Sequence, residues 1–452
     1  MAETLSPGVF TTEIDASTIV PTVSSSVGVY AGNFIKGPVG AYTLITSVAD
    51  LITFYGLPTT TNYNDFYQAY NFLQYGNKLL LSRASNINGL ALDASNPVPL
   101  ATLASANAAV VGVTNGASFT VGDVVAFEAI QGQGVDLTQQ YSVVSITLND
   151  LTLDRNVQQD IPLNSASFTI TRSMNAMVEA VQNAGTPVPA QDYFGTMQPV
   201  ENIDDYLTKE VSLAMTSVDS KIKFTSRNPG AWGNNIEICI ANPAMFGATV
   251  PTEAFPGIPV DDLFDYPPTG TDVGIVIRDG INIVETWTVS FDPAAKDNNN
   301  KSIYIEDVIN NKSSYVYAKD NTANATNVAD YCAVINGVGV GTITLINGSD
   351  SPIQADDLLN AYDIFANKEA LDIDIVMANE LDAGVSAVKL VDARLDCICF
   401  VGANYADVVG KKSAIATGNL INWRKTGAIN YNNMFVVACG NYKYQYDKLS
   451  VA

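Results

Sequence analysis

The side chains that most often carry chemistry are sparse in this 452-residue sequence, and histidine is missing altogether. That absence removes Ser-His-Asp and Cys-His catalysis, His-ligated zinc and imidazole-based pH switching together. The five cysteines are Cys239, Cys332, Cys397, Cys399 and Cys439, with no CxxC pair among them. Cys397 and Cys399 flank Ile398 in a predicted buried strand and so point to one face. They read as small apolar core residues in a reducing compartment. Carboxylates occur as adjacent pairs at Asp204-Asp205, Asp261-Asp262 and Asp356-Asp357, while Asp372 and Asp374 alternate on a strand. Adjacent carboxylates in loops and first helical turns are usually solvated or complement the helix dipole, and no EF-hand spacing is present. No catalytic residue and no metal ligand is assigned. The sequence has no GxxxxGK[ST], and Gly337-Val338-Gly339-Val340-Gly341-Thr342 lacks GxGxxG spacing and leads into a β-like run, Ile343–Leu345. It reads as a glycine loop or hairpin, and no cofactor is expected.

Two aromatic features remain. Trp232 lies in the loop Arg227-Asn228-Pro229-Gly230-Ala231-Trp232-Gly233-Asn234-Asn235, where packing at home is favoured over an interface anchor. Tyr442-Lys443-Tyr444-Gln445-Tyr446 has the make-up of a base-stacking strip. The chain is too acidic for that role, and a strand extension buried against its own domain is expected.

Residues Ser351–Asp447 alternate helix and strand. The periodicity predicts helices over Pro352–Asn367, Ala383–Arg394 and Asp407–Arg424, and strands over Leu371–Met377, Cys397–Val401 and Met434–Ala438. Such alternation, with near-continuous apolar strands, argues for a mostly parallel sheet covered by helices. Ser351-Pro352-Ile353-Gln354 offers a hydroxyl cap, a proline at the first helical position and a glutamine to reach back. The same grammar recurs earlier. Strand Val27–Ala31 leads to a capping box at Ser47–Asp50 for a short helix ending at Gly56, then a helix Tyr63–Tyr75 stopped by Gly76, then strand Leu79–Leu81.

Between these segments the character changes. From Pro97 to Arg172, short alternating runs at Ser118–Thr120, Val124–Phe127, Tyr141–Leu148 and Phe168–Thr171 are separated by turn residues, which reads as a small all-β barrel or sandwich. Its polar stretch Gln131-Gly132-Gln133-Gly134 suggests surface exposure. Residues 173–350 read as α+β, with a helix Met174–Asn183, strands Lys221–Ser226 and Ile236–Ile240, and a hairpin of Val273–Arg278 and Ile283–Phe291 about Asp279-Gly280. The fold class is therefore α/β plus β. A discontinuous α/β domain (22–85 and 351–452) carries a nested α+β domain (86–96 and 173–350) and an inserted small all-β barrel (97–172), behind an N-terminal arm (1–21).

Composition sets the outer limits. At roughly 100–200 residues per domain, two to four domains are expected. The chain is 47% hydrophobic and 15% charged, so it can bury large cores. Its 23 basic residues face 46 acidic ones, a net −23, which disfavours coating nucleic acid and favours docking to a basic surface of a partner or sister subunit. Met1–Phe10 has no basic run and carries Glu3, unlike a signal peptide. The uncharged run Ala94–Gly122 is broken by Asn96, Pro97, Pro99, Asn107 and Asn115, so no membrane insertion is expected. Near the start, Phe10, Thr12 and Ile14 alternate with Thr11 and Glu13, and no hairpin turn supplies a local partner. Val9, Phe10, Thr11, Thr12, Glu13 and Ile14 are read as an edge strand at home or as a strand that pairs in trans with a neighbouring chain.

Several stretches resemble the tail sheath proteins of contractile-tailed phages, most closely the T-even-like branch. They are Leu5-Ser6-Pro7-Gly8-Val9, Gly32-Asn33-Phe34 through Gly37-Pro38, and Asn71-Phe72-Leu73-Gln74-Tyr75-Gly76-Asn77. Next come Asn228-Pro229-Gly230 through Trp232-Gly233-Asn234, and Asp363-Ile364-Phe365-Ala366 before Glu369. The series closes with Asn419-Leu420-Ile421-Asn422-Trp423-Arg424 and Gly440-Asn441-Tyr442-Lys443-Tyr444-Gln445-Tyr446-Asp447-Lys448. The order runs end to end, and residues 97–172 carry no match.

The resemblance implies a non-enzymatic structural protein of the virion tail, assembled in the host cytoplasm as a homo-oligomer, in rings or a helix, around a tail tube. On a signal from the baseplate the assembly shortens and drives the tube through the host envelope. It also implies that the arm Val9–Ile14 is exchanged between subunits. Related sheath proteins continue past the Gly440–Lys448 motif into a further C-terminal domain, so this chain reads as a shortened form or one whose partner strand comes from another chain. In isolation it is expected to be largely monomeric. Two alternatives are a histidine-free α/β enzyme, with a pocket at the carboxyl ends of Leu371–Met377 and Cys397–Val401, and a virion surface adhesin built on the β insert.

Overall fold

The structure, a computed structural model, describes residues 26–87, 91–92, 97–119, 123–128, 141–171, 173–181, 199–209, 220–241, 260–264, 272–321, 343–426, 434–446 and 449. The arm Val9–Ile14, the Gln131–Gly134 stretch and the Gly337–Thr342 loop lie outside these residues.

One six-stranded sheet unites the two ends of the described chain. Its members are β1 (Gly28–Asn33), β2 (Tyr42–Ile45), β3 (Leu79–Ala84), β18 (Ile375–Ala378), β19 (Ile398–Gly402) and β20 (Val436–Cys439), in the order β2-β3-β1-β18-β19-β20. Only β2 is antiparallel to its neighbour. In register, Tyr30, Met377, Phe400 and Val437 form one row across the sheet. Parallel strands need crossovers, and helices supply them. Helices α1 (Val48–Tyr55) and α2 (Tyr63–Leu73) join β1 to β3 by way of β2, and pack Leu51, Tyr55, Phe66 and Ala69 on one face. The other face is covered by α5 (Ala355–Asp363), α6 (Glu380–Arg394) and Trp423 of α8 (Ser413–Thr426).

Residues 91–171 form a second sheet, of seven strands: β4 (Ala91–Leu92), β5 (Val98–Pro99), β6 (Val110–Gly112), β7 (Val124–Phe127), β8 (Tyr141–Thr147), β9 (Asp150–Leu153) and β10 (Ala166–Thr171). All pairings are antiparallel, in the order β4-β10-β7-β8-β9-β6 with β5 on β10. A bridge between Leu100 and Val113 then ties the end of β5 to the end of β6, so the pairing path returns on itself. Leu100, Val111, Val125, Phe127, Tyr141 and Leu151 lie in a core of their own beneath it.

Two smaller antiparallel sheets share the remaining core. One is β11 (Met177–Val181), β12 (Ser220–Ser226) and β16 (Val316–Asp320); the other is β13 (Ile236–Ala241), β14 (Asp272–Asp279), β15 (Asn282–Ser290) and β17 (Ile343–Thr344). Helix α3 (Ile203–Lys209) sets Tyr206 flat on Tyr317, and α4 (Ile305–Lys312) packs Ile305 and Ile309 into the shared core. The hairpin expected at Asp279-Gly280 forms there, with Gly280 at φ 58, a conformation that costs glycine least.

Several expectations are corrected. The helix expected at Met174–Asn183 is strand β11. Met174, Met177 and Val178 suit either element, and pairing with β12 and bridging to Ile346 decide for the strand. Helix α5 starts three residues later than expected, capped by Gln354, whose backbone N–H donates to Asp357 at 2.8 Å. Ser351 is diverted instead into a buried hydrogen-bond cluster between segments, so a tertiary contact outweighs the local cap. The helix expected over Asp407–Arg424 breaks into α7 (Tyr405–Val408) and α8, with Gly410 at φ 73 between them. In place of a strand at Ser118–Thr120, Gly116–Ser118 forms one 3-10 turn.

Candidate assembly surfaces

Chemistry in a parallel α/β sheet is usually done at the carboxyl ends of the strands, at the point where strand order reverses. Here that point lies between β1 and β18. Polar groups do converge there, and they are spent on one another. Tyr30 on β1 is fully buried and donates its hydroxyl to Asp65 of α2. The Asp65 carboxylate, turned inward, also accepts the Asn33 N–H at 2.8 Å. Asn379, just after β18, donates its amide to the Tyr30 hydroxyl at 2.9 Å and to the Asn64 carbonyl at 3.1 Å. Burial pushes the Asp65 carboxyl above its usual range, while the hydrogen bonds from Tyr30, Asn33 and Asn379 pull it back. Beside this cluster Tyr442 donates to the Ala403 carbonyl at 2.7 Å and sets its ring edge-on to Tyr405, occupying the carboxyl end of β19.

Cys397, Cys399 and the carboxylates of Asp205, Asp357 and Asp374 behave as structural residues. Cys397 and Cys399 are buried on one face of the sheet with Ile398 exposed between them. Burial raises their thiols to about 11 and about 12, so neither is a thiolate near neutral pH. Asp374 accepts the Val27 N–H at 2.8 Å, Asp205 accepts the Glu201 N–H at 2.9 Å, and Asp357 caps α5. Among the described residues, no group of three or more His, Cys, Asp or Glu side chains is placed to hold a metal ion. No described helix is long and apolar enough to cross a membrane.

A second hydrogen-bonded polar cluster forms a neck where the chain crosses between sheets three times. Ser173 N–H donates to the Asn86 carbonyl at 2.5 Å, and Ser351 N–H donates to Ser173 Oγ at 3.1 Å. Asn86 Nδ2 donates to Ser351 Oγ at 3.3 Å and to the Pro352 carbonyl at 3.2 Å. Met174 and Ser349 exchange both backbone hydrogen bonds, at 3.0 and 3.1 Å. Beside the neck, two cations from the first segment reach into the middle one. Arg83, buried on β3, donates Nε to the Phe34 carbonyl at 2.8 Å and Nη1 to the Pro229 carbonyl, with Nη2 3.6 Å from Asp350. Desolvation pulls its guanidinium down to about 10, and Asp350 holds it up, so it stays charged at neutral pH.

Gly230, at φ 137, makes room for the Arg83–Asp350 pair. A Cβ there would lie 2.9 Å from Asp350 Oδ1 and 3.1 Å from Arg83 Nη2. Lys36 sits 4.8 Å from the centroid of Tyr315 and 5.9 Å from that of Trp232, in reach of cation–π attraction. Trp232 itself is buried in the middle core, as its packing reading required. Sequence reasoning missed Lys36, Arg83, Asn86 and Ser173. The one visible signal was a charge closing the apolar run Leu79-Leu80-Leu81.

The tail departs from expectation. Residues 440–446 form no strand, and Tyr444 and Tyr446 are fully or largely exposed rather than buried. No side chain of the last strand, β20, is fully buried, and Val437, Ala438 and Cys439 are exposed. Among the described side chains of α8, only Trp423 is buried.

No family model matches the chain. It is 27% identical over 488 aligned residues to the tail sheath protein of Enterobacteria phage T4, an alignment covering 98% of this chain and 69% of the relative. Against the tail sheath protein of Vibrio phage KVP40 it is again 27% identical, over 512 residues, 98% of this chain and 70% of the relative. Among solved structures, a sheath tail protein of Listeria innocua aligns with 85% of this chain at 10% identity and a TM-score of 0.35. The chain spans about half (49%) of that protein, and so slight a likeness decides nothing further.

Proposed function

We infer that this chain is a structural subunit of a bacteriophage contractile tail sheath, since it is homologous to phage tail sheath proteins over 98% of its length. It belongs to the virion tail and is not an enzyme. That end-to-end alignment carries the reading. The occupied carboxyl ends of the parallel sheet are in keeping with it, because Tyr30, Asp65, Asn379 and Tyr442 fill the place where a pocket would be.

The finer reading rests on the expected family behaviour. Copies polymerise around a tail tube under control of a baseplate, and contraction exchanges one set of contacts between copies for a better one, a two-state interface in place of bond chemistry. The arm Val9–Ile14 pairs in trans with a neighbour. Within each copy, 28–84 and 351–439 act as one α/β unit, 173–350 as a nested α+β unit, and 88–171 as a small barrel set between the first α/β segment and that nested unit. The shared six-stranded sheet, the self-closing strand path and the neck support that division. The pairing of Ala91–Leu92 with β10 supports counting those two residues with the insert, where the sequence alone places them in the α+β unit.

Antibodies raised against the purified chain test the reading on intact virions. They should decorate the tail along its length in electron micrographs, with a spacing that shortens on contraction. Labelling confined to the capsid or to fibre tips would overturn it.

A further inference from the structure

Charge in this chain is segregated. From Tyr405 to Ala452 there are six of the 23 basic residues, Lys411, Lys412, Arg424, Lys425, Lys443 and Lys448, but only two of the 46 acidic ones, Asp407 and Asp447. That segment carries +4 and the remaining 404 residues −27. The exposed cations frame α8. Lys411 and Lys412 directly precede it and Arg424 and Lys425 close it. Cations beyond a helix N-terminus face the positive end of the helix dipole, an arrangement that an anion from elsewhere would relieve.

Between these charges, among the described residues, an apolar groove runs along α8. Thr417, Leu420, Ile421 and Arg424 recur at helical spacing along one side, and Ala438 and Cys439 of β20 form the other, around a cavity of about 330 Å³. Gly440 passes so close under Leu420 that a Cβ there would lie 2.8 Å from it. Ile421 is 48% exposed at the groove, and Ile415, six residues before it on the same helix, is 52% exposed. An apolar trough rimmed by cations, on a chain whose remainder is heavily anionic, is complementary to other parts of the same molecule.

We propose that the α8–β20 groove receives an acidic, apolar-anchored segment of a second copy of this chain, in a head-to-tail contact. Such a contact is heterologous, and repeated it generates rings or helices, so the proposal rests on the sheath reading and names one of its interfaces. Its charge pairs also make it weaken as salt rises, because screening shortens to about 3 Å at 1 M ionic strength.

Cys439 supplies the probe. It is exposed in the groove, whereas Cys239, Cys397 and Cys399 are buried. In a Cys332→Ser background, Cys439 is coupled to a photoactivatable maleimide. Chains of natural and heavy nitrogen are mixed over a concentration series, irradiated, and the cross-linked peptides identified by mass spectrometry. Mixed light–heavy pairs joining Cys439 to Asp- or Glu-rich segments are expected, with a yield that falls at 1 M salt. The Arg424→Glu/Lys425→Glu variant, altered only at exposed positions, should lower that yield at least tenfold with an unchanged circular dichroism spectrum. Cross-links within one chain only, or between chains with no response to salt and charge reversal, would overturn the proposal. So would cross-links from Cys439 to a different virion protein in assembled tails. Any of these leaves the sheath reading intact if antibodies still decorate the tail, and absence of tail labelling sinks that reading whatever the groove does.

Discussion

Arg83 and Asp65 are both ionisable groups held inside the α/β unit, and they differ in what holds them. Arg83 is 3% exposed and divides its donors between carbonyls of two segments, Phe34 and Pro229. Arg83→Met removes the charge but leaves both acceptors buried without a donor, each costing about 1–3 kcal/mol. A loss of roughly 3 kcal/mol is therefore expected in urea denaturation, and a loss under about 1 kcal/mol would show that water replaces the guanidinium. Asp65 gives a pH signature. Its folded carboxyl is raised by burial above an unfolded value of about 3.9. Below the unfolded value both states are protonated, and the stability that the neutral Asp65 carboxyl lends the fold is fully present. As pH rises from the unfolded value to the raised folded one, the unfolded chain gives up its proton while the folded carboxyl keeps it. That stability is lost over this window, and the loss is complete once pH has passed the folded value. In Asp65→Asn that loss is absent, so the stability difference should move in the variant's favour as pH rises from about 4 toward neutrality. A difference that stays flat across that series would mean Asp65 ionises inside as readily as outside.

At the scale of elements, local rules were legible wherever local partners decide. Ser47 caps α1 by accepting the Asp50 N–H at 3.1 Å, Gly56 ends it at φ 85, and both were readable from the sequence. Ser47→Ala should then cost about 1 kcal/mol in the same denaturation assay, the usual worth of such a cap; an unchanged midpoint would assign the helix start to packing of Leu51 and Tyr55 alone. The parallel grammar of the first and last segments was also readable, since Val29, Leu79–Leu81 and Val376 are apolar runs buried on both faces. What was not legible came from distant partners. Ser351 looks like a cap and is claimed by Ser173, 178 positions away. Met174–Val181 has apolar spacing that suits a helix, and only β12 makes it a strand. The buried reading of Tyr442–Tyr446 failed differently. Tyr442 is held by Ala403 and Tyr405, but nothing among the described residues covers Tyr444, which the sequence had no means of signalling. The candidate arm Val9–Ile14 stands on its alternation and family resemblance alone.

The neck sets how the whole molecule divides. Chain segments that enter and leave a unit at one hydrogen-bonded point can be exchanged with little consequence for what lies on either side, because closing a loop costs more only slowly as it lengthens. Asn86 and Ser173 are joined by a backbone hydrogen bond of 2.5 Å, and between them lie residues whose buried side chains, Leu100, Val111, Phe127 and Tyr141 among them, pack in a cluster of their own. Replacing residues 88–172 by a short glycine linker should therefore leave the rest folded, since a few residues at about 3.3–3.6 Å each span the gap. The shortened chain is expected to unfold cooperatively, with a near-ultraviolet spectrum that retains the Trp232, Trp287 and Trp423 bands, and with a midpoint at or slightly above that of the parent. The same shortened chain should keep the salt-sensitive cross-link at Cys439, because α8 and β20 lie on the far side of the neck from the insert. A broad, non-cooperative transition would show instead that the seven-stranded sheet braces the neck, and that Asn86, Ser173 and Ser351 hold only while the insert holds them together.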